Sequence, residues 1–265
     1  MQQNLDKEDI VFFRDNGYLI KRKILNPKLM AQARDRLWDG APVQLDRRNP
    51  STWVGPFLES SEDKMNAQNN YRWNYREPGS EQFMVNLLPK NSSIWRMAEQ
   101  LLGEGTLVEP DRIRGIYCTL PYGNVEKKAS TGCHVDAHPF HLGVVGYIDD
   151  VLPEGGSFMV WPGSHRTFYY DFHSQYKNEP TEQYEVHRRE FSRLPGVDCH
   201  GQAGDIIFLQ PKRNSAKSNY HFVKKGETMK SISQLHGIKL KKLYKKNHLP
   251  LNSQPNIGDK IFLKK

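Results

Sequence analysis

The chain has 265 residues, a formal net charge of +8 at pH 7, 37% hydrophobic residues and 26% charged residues. This composition is that of a globular protein with room for one large and one small domain, and no apolar run reaches the length of a transmembrane helix. The first nine residues are polar and acidic, so they predict no secretory signal peptide and favour a cytoplasmic location.

The positive charge is concentrated at the C-terminal end. Residues 219–265 contain eleven Lys, no Arg and two acids, which gives +9 for this tail and −1 for the remaining residues. Such asymmetry indicates two units of different composition. We therefore predict a body over residues 1–209, a basic linker over 210–219 and a tail domain over 220–265.

Capping residues and glycine stops predict the first elements of the body. Asp6 can cap a first helix, and Gly17 ends it. The further assignments are a strand over 18–25, a helix over 28–38, a long ordered loop over 41–80 and a helix over 92–102.

The second half of the body changes to short β-rich runs that are separated by Pro and Gly turns. Helices followed by strands predict an α+β chain with an antiparallel sandwich or jelly roll. The predicted strands are 113–120, 142–148, 157–160 and 205–209.

The tail predicts a β-α-α-β order in under fifty residues. Thr228 caps its first helix, and a Pro-Asn-Ile-Gly-Asp turn precedes its last strand. The predicted elements are a strand over 220–224, helices over 229–236 and 240–247, and a strand over 260–263.

The three cysteines are Cys118, Cys133 and Cys199. Their number is odd and no pair has CxxC spacing, which argues against a disulfide framework and against a structural zinc site. We predict that they are buried free thiols.

A possible metal site is formed by His134 and Asp136. On a strand, residues i and i+2 point to the same face, so an imidazole and a carboxylate could meet one cation. Two His and one carboxylate form the facial triad of non-haem Fe(II) oxygenases. The alternative is chance, because the chain contains ten His and thirty acids.

The sequence around His134 and Asp136 extends this pattern. A buried strand, Asp149-Asp150, a Gly-Gly turn and the Pro-Gly-Ser-His-Arg segment at 162–166 follow it. Together with residues 12–19 and the Gly-Asp strand at 204–208, these features resemble the phytanoyl-CoA dioxygenase family of Fe(II)/2-oxoglutarate oxygenases. The likeness covers about residues 5–208. It implies a double-stranded β-helix core, iron held by His134 and Asp136, 2-oxoglutarate as co-substrate, and hydroxylation of a small molecule.

Other side chains near the half-site leave alternatives open. His138, His141 and His165 are interpreted as turn or rim residues rather than ligands. Arg166 could contact substrate or lie on the surface. Three residues of the preceding predicted strand could line the pocket, although they also fit an ordinary alternating strand: Arg114, Tyr117 and Thr119.

The resemblance breaks after the Gly-Asp strand. In the family a second iron histidine follows, and then an arginine that pairs with 2-oxoglutarate. Here the histidine position falls near Asn214 or Ser215, and no arginine follows Arg213. His221 is a weak candidate for the third ligand, but it also fits the first strand of the tail, and His200 would need a shifted register. These departures predict an incomplete double-stranded β-helix without its closing strands.

The tail resembles a LysM domain through its Val-x-x-Gly-Glu-Thr start, the Ser-Ile pair of its first helix, Asn247 and the Gly-Asp-x-Ile end. The resemblance implies binding of N-acetylglucosamine glycans, such as peptidoglycan or chitin, in a shallow groove between two loops, and it makes the cell envelope an alternative location. The implied groove residues are Gly226, Glu227, Thr228, Met229, Asn247, His248, Leu249 and Pro250.

The many lysines of the tail have two further interpretations. They could attract an anionic polymer, or they could form a solvated basic face. The tail shows no recognised nucleic-acid motif and no aromatic stacking platform, so we predict no specific nucleic-acid partner.

Three hypotheses for the whole chain follow. The first is an Fe(II)/2-oxoglutarate hydroxylase tethered to glycan by the tail. The second is a glycan-binding protein whose oxygenase-like body is catalytically silent. The third is a chimera joined near residues 208–214.

Overall fold

The computed structural model describes residues 3–122, 132–136, 141–173, 178–210, 220–223, 226–235 and 238–263. The chain divides into two compact units, Met1–Arg213 and Asn214–Lys265. Both units combine short helices with small sheets, so the predicted α+β class is confirmed. The finer division into a body, a linker and a tail stays a prediction.

The helices of the body follow local signals. Asp6 and Asp9 form a capping box, in which each side chain accepts a hydrogen bond from the other residue's backbone N–H, at 2.8 and 3.2 Å. Gly17 ends the helix with φ 80°. The helices are α1 (Lys7–Asn16), α2 (Pro27–Asp39), α3 (Gln82–Leu87), α4 (Ser92–Leu102), α5 (Ser164–Phe168) and α6 (Glu182–Arg193).

The described strands of the body form small antiparallel sheets. Their orders are β1-β8-β5, β2-β3-β4 and β6-β7. The strands are β1 (Tyr18–Lys21), β2 (Asn66–Asn69), β3 (Arg72–Tyr75), β4 (Ile116–Thr119), β5 (Gly143–Gly146), β6 (Met159–Val160), β7 (Val197–Asp198) and β8 (Ile206–Leu209). These sheets do not by themselves establish a closed jelly roll, which therefore stays a prediction.

The prediction of one uninterrupted loop over 41–80 is wrong, although residues 41–49 and 53–65 contain no helix or strand. The segment contains β2 and β3 and two 3-10 helices, Pro50–Thr52 and Glu77–Ser80. Trp73 and Tyr75 of β3 are almost completely buried and pack in one cluster with Leu45, Phe57 and Leu120. The segment is therefore part of the core rather than a cover over it.

The main core of the body lies around β8. Ile206, Ile207 and Phe208 are fully buried because this strand is central, with β1 and β5 on its two sides. Asp205 precedes it and accepts hydrogen bonds from Arg22 Nη1 at 2.6 Å and from the Lys23 N–H at 3.0 Å. These contacts tie the start of β8 to the chain that leaves β1.

The tail unit has the predicted β-α-α-β order. Its elements are β9 (Tyr220–Phe222), α7 (Met229–Leu235), α8 (Leu240–Lys246) and β10 (Lys260–Phe262). The two strands pair antiparallel. They cover a compact apolar core that consists of Val223, Met229, Ile232, Leu243, Tyr244, Ile261 and Leu263.

Candidate functional site

The half-site residues lie close together. His134 Nε2 is 3.6 Å from Asp136 Oδ1, and the two side chains are 52% and 41% exposed. Residues 132–136 do not belong to a strand, so the strand that the i, i+2 spacing predicted is wrong although the side chains do face each other. Another interaction must therefore set their orientation.

A local hydrogen bond fixes the tautomer of His134. Its Nδ1 lies 3.1 Å from the carbonyl oxygen of Gly132. A carbonyl only accepts, so Nδ1 carries a proton, and Nε2 faces Asp136, where the carboxylate favours a second proton on the ring in the metal-free protein. A backbone carbonyl on the far nitrogen is the usual arrangement behind a metal-bound imidazole.

Helix α6 holds the backbone on both sides of His134. The Cys133 N–H donates to Ser192 Oγ at 2.9 Å, and the Val135 N–H donates to the Tyr184 hydroxyl at 3.0 Å. Gly132, with φ 74°, passes so close that a Cβ there would lie 2.9 Å from Ser192 Oγ. The sequence did not indicate this support, because Ser192 and Tyr184 lie 59 and 49 residues further along the chain than the amides they accept from.

The half-site is also bordered by positive charge. Arg114 Nη1 lies 3.4 Å from Asp136 Oδ2, and its guanidinium stands over the Tyr117 ring. The Asp136 carboxylate favours the imidazolium and raises the pKa of His134, while burial and Arg72 act in the opposite direction. Arg114, one of the residues that the sequence left open as pocket-lining or ordinary strand residues, thus lies beside the half-site.

A complete iron site is not formed by the residues that the structure describes. Within them, no group of three or more His, Cys, Asp or Glu could hold a metal ion. His138, Asn214, Ser215 and Arg213 lie outside the described residues. The two donors found among the described residues, His134 and Asp136, do not meet the three-ligand requirement of a non-haem Fe(II) centre.

His165 is not a turn or rim residue, so that interpretation is wrong. It lies in α5 with only 2% of its surface exposed, and its Nε2 donates to the Arg14 carbonyl at 3.2 Å. A Cβ on Gly17 would lie 2.3 Å from its Nδ1, so the glycine that ends α1 also makes room for this ring.

The other polar candidates have local roles. His141 is exposed. Arg166 Nη2 donates to Asp15 Oδ1 at 2.8 Å, which places it on the surface beside α1. Thr119 ends β4 against Gly156, where a Cβ would approach the threonine to 2.9 Å. His200 lies 3.8 Å from Asp198 through Nδ1.

His221 lies in β9 of the tail, which agrees with its interpretation as a strand residue. Its Nε2 donates to Glu227 Oε2 at 2.6 Å, and both side chains are largely buried, with 9% and 22% exposed. Glu227 belongs to the first predicted groove loop, so this contact fastens that loop to the sheet.

The first groove loop combines exposed and structural residues. Gly226 is exposed at φ 85°, with nothing near its Cβ position. Thr228 is exposed and caps α7, because its Oγ1 accepts from the Ser231 N–H at 3.1 Å. Met229 is completely buried, so only its backbone could meet a ligand.

The second groove loop begins at Asn247. This side chain donates to the Leu243 and Phe262 carbonyls, each at 2.9 Å, and accepts from the Phe262 N–H at 2.5 Å. His248, at φ 53°, and Pro250 are exposed, and the partly buried Leu249 between them packs against the core of the unit. Asn247 is therefore mainly a structural residue, and His248 and Pro250 present the accessible side chains.

The family model described as "LysM domain" matches residues 221–264. The tail is therefore a LysM domain, and the resemblance predicted from its motifs is confirmed. No curated protein matches the chain. None of the helices in the described part of the chain has the length and apolar character of a membrane span.

Among solved structures, the chain is similar to the non-heme alpha-ketoglutarate-dependent carbocyclase SnoK from nogalamycin biosynthesis. The two are 20% identical, the TM-score is 0.44, and the match covers 79% of this chain and 76% of that chain. An identity and a TM-score this low do not establish the family of the body.

Proposed function

We propose that this protein binds an N-acetylglucosamine-containing glycan, such as peptidoglycan or chitin, through its LysM tail. The match of residues 221–264 to the LysM family carries the proposal. The geometry supports it, because Met229 and Leu249 pack in one core cluster and thus anchor both groove loops over the same core. The exposed side chains of Thr228, His248 and Pro250 are then available to a sugar chain.

Retention of the full chain on insoluble peptidoglycan and chitin tests this proposal. The double substitution His248→Asn with Pro250→Ala removes two exposed groove side chains, and Asn tolerates the positive φ of position 248. We expect it to reduce retention by about tenfold, which corresponds to about 1.4 kcal/mol. Asn256→Ala, an exposed change outside both loops, is the matched control. Failure of the unsubstituted chain to bind either polymer would exclude the proposal.

For the body we propose descent from the Fe(II)/2-oxoglutarate oxygenases, with a double-stranded β-helix core and an activity on a small molecule. The observation in favour is the pair of His134 and Asp136, with Nδ1 held by the Gly132 carbonyl and Nε2 turned to the carboxylate. The two donors among the described residues do not complete an iron site. The proposal is therefore mainly that the body descends from these oxygenases, and its catalytic activity is a separate part that needs its own test.

Anaerobic Fe(II) titration, followed by admission of O2 and measurement of the succinate formed from 2-oxoglutarate, tests whether the body binds iron and whether it turns over. The reference is the His134→Ala variant. Fe(II) binding that depends on His134, with succinate above the level of the variant, supports an active body. If the unsubstituted chain and His134→Ala formed the same background amount of succinate, the result would instead support a glycan-binding protein whose body is catalytically inactive.

A further inference from the structure

We infer that four lysines of the LysM unit select an anionic glycan over a neutral one. This inference rests on the glycan binding proposed above and names its ligand class. The residues are Lys239, Lys241, Lys242 and Lys245, and together they are called the lysine patch. All four are exposed.

Helix geometry places three of these side chains on one face of α8. At 100° per residue, Lys241, Lys245 and Lys242 fall within an arc of about 100°. The other face is apolar, and Leu243 and Tyr244 are buried in the core of the unit. The lysine patch is therefore a continuous outward surface rather than a set of scattered charges.

The lysine patch has no carboxylate partner in the described part of the tail. The unit contains two acids. Glu227 is paired with His221, and Asp259 Oδ2 accepts from the Asn256 N–H at 2.7 Å. Neither acid lies on α8, so the exposed patch faces solvent without a neutralising carboxylate among the described residues of the tail.

Two charges of the lysine patch, on Lys241 and Lys242, do not serve the stability of α8, whereas Lys245 lies in the last turn, where the helix dipole favours a cation. The helix begins without a capping side chain and has no acid in its first turn, where Lys241 and Lys242 lie. Cations in a first turn oppose the helix dipole, and the like-charged pair Lys241 and Lys245, at i and i+4, is destabilising. Residues that destabilise their own helix in this way are expected at functional sites, so these lysines indicate binding to an external partner.

The position of the lysine patch indicates which partner. Lys245 precedes the groove loop of residues 247–250 by one turn or less, so a glycan bound at this loop passes close to the charges. Peptidoglycan carries carboxylates on its peptide stems, whereas chitin is neutral. The tail contains lysine and no arginine, and lysine acts as a point charge without the planar, bidentate donor geometry that makes arginine the preferred residue for phosphate and nucleic-acid recognition.

The experiment measures retention of the full chain on three insoluble polymers: chitin, peptidoglycan, and peptidoglycan whose carboxyl groups have been amidated. The test variant is Lys241→Gln, Lys242→Gln and Lys245→Gln combined. The control carries the same charge change on the body, at the exposed Lys7, Lys28 and Lys64.

We expect the unsubstituted chain and the control to bind native peptidoglycan about tenfold more tightly than the amidated polymer. A surface lined by charges of one sign raises the local concentration of oppositely charged ligands by about 10- to 1000-fold, and tenfold is the lower end of that range. The triple variant should lose this preference and keep its binding to chitin. Equal binding to native and amidated peptidoglycan, or a preference that survives in the triple variant, would overturn the inference while the glycan-binding proposal stands.

Two other outcomes are also decisive. If the chain binds none of the three polymers, the proposed glycan-binding function fails and the inference fails with it. If the chain binds a short double-stranded DNA more tightly than peptidoglycan, and the triple variant loses that binding, the lysine patch belongs to nucleic acid and the inference is overturned.

Discussion

His187 Nδ1 lies 2.9 and 2.8 Å from the two carboxylate oxygens of Asp171, a residue that is only 2% exposed. The buried carboxylate of Asp171 thus fixes the turn of α6 that contains His187 to the segment that follows α5. Helix α6 also supplies the Ser192 and Tyr184 oxygens that accept the N–H groups on either side of His134. The orientation of the half-site therefore depends on a helix that contains no metal ligand.

Removing the two acceptors on α6 should loosen the half-site. In the double variant Ser192→Ala with Tyr184→Phe, the amides of Cys133 and Val135 lose their partners, each hydrogen bond being worth about 1 kcal/mol. We expect about fivefold faster hydrogen exchange at these amides. Gln183→Ala, an exposed change on the same helix, is the control. Unchanged exchange rates at both amides would show that α6 does not hold the segment.

The pKa of His134 in the metal-free protein should lie above its ordinary value, because the Asp136 carboxylate favours the imidazolium. This contact contributes to stability below the unfolded pKa of about 6.5 and is lost as pH rises through the raised folded pKa. Asp136→Asn should lower the pKa, measured from the ring C–H signals in an NMR titration. The control is Asp149→Asn, and a His134 pKa that Asp136→Asn leaves unchanged would contradict the prediction.

Asn247→Ala should destabilise the tail by about 1–3 kcal/mol, because it leaves the Phe262 N–H and two carbonyls without the amide that joins α8 to β10. The five tryptophans all precede residue 162, so tryptophan fluorescence does not report on this unit. Hydrogen exchange of the α8 amides does report on it. Asn256→Ala should leave these rates unchanged, and equal rates in both variants would show that the Asn247 contacts contribute little.

Asp205→Asn should destabilise the body by about 2–3 kcal/mol at pH 7, since its carboxylate accepts from Arg22 and from the Lys23 and Gln202 N–H groups. Burial alone would raise the pKa of Asp205, but these hydrogen bonds lower it overall. The contribution is therefore present above the unfolded pKa of about 3.9 and is lost as pH falls through the folded pKa.

Urea unfolding followed by tryptophan fluorescence measures this effect in the body alone. The difference between the unsubstituted chain and Asp205→Asn should be constant near neutral pH and should shrink below about pH 4. Asp111→Asn, at an exposed position, is the control. A difference that does not depend on pH would mean that the charge of Asp205 is not the source of its contribution.

The three thiols should be unreactive in the native protein. Cys118, Cys133 and Cys199 are free, and burial raises their pKa to about 11, 11 and 12. Because the thiolate is the nucleophile, a disulfide reagent at pH 8 should modify almost none of them until denaturant is added. If the folded chain rapidly released one equivalent of the reagent's thiol leaving group, one cysteine would be reactive and the prediction would be contradicted.

The sequence predicted those elements whose signals are local. Asp6 and Gly17 mark the ends of α1 within the chain itself, and the tail follows a motif pattern that is complete in sequence. By contrast, β3 alternates the polar Arg72 and Asn74 with the buried Trp73 and Tyr75. It can be identified as a strand only from its pairing with β4, which is distant in the chain. Such a strand resembles a polar loop when it is considered alone.

The sequence predicted which two residues form the candidate half-site, but not the contacts that orient their side chains. The i, i+2 spacing of His134 and Asp136 predicted that the two side chains lie close together, and they do, but the strand geometry behind the prediction is not present and their role as metal ligands stays a prediction. The Gly132 carbonyl and two residues of α6 set the orientation instead, and α6 is distant in the chain. His165 was misassigned for the same reason, because its environment is created by Gly17 on another element.

The position of β8 has a consequence for synthesis on the ribosome. Tyr18 and Gly143 both pair with Leu209, so the middle strand of this sheet is translated after both of its neighbours. Contacts of such sequence separation form slowly and leave partly folded chains exposed. A nascent body cannot close this sheet before residue 209 is made, and a chain that stops short of β8 would present two unpaired strand edges to other nascent chains.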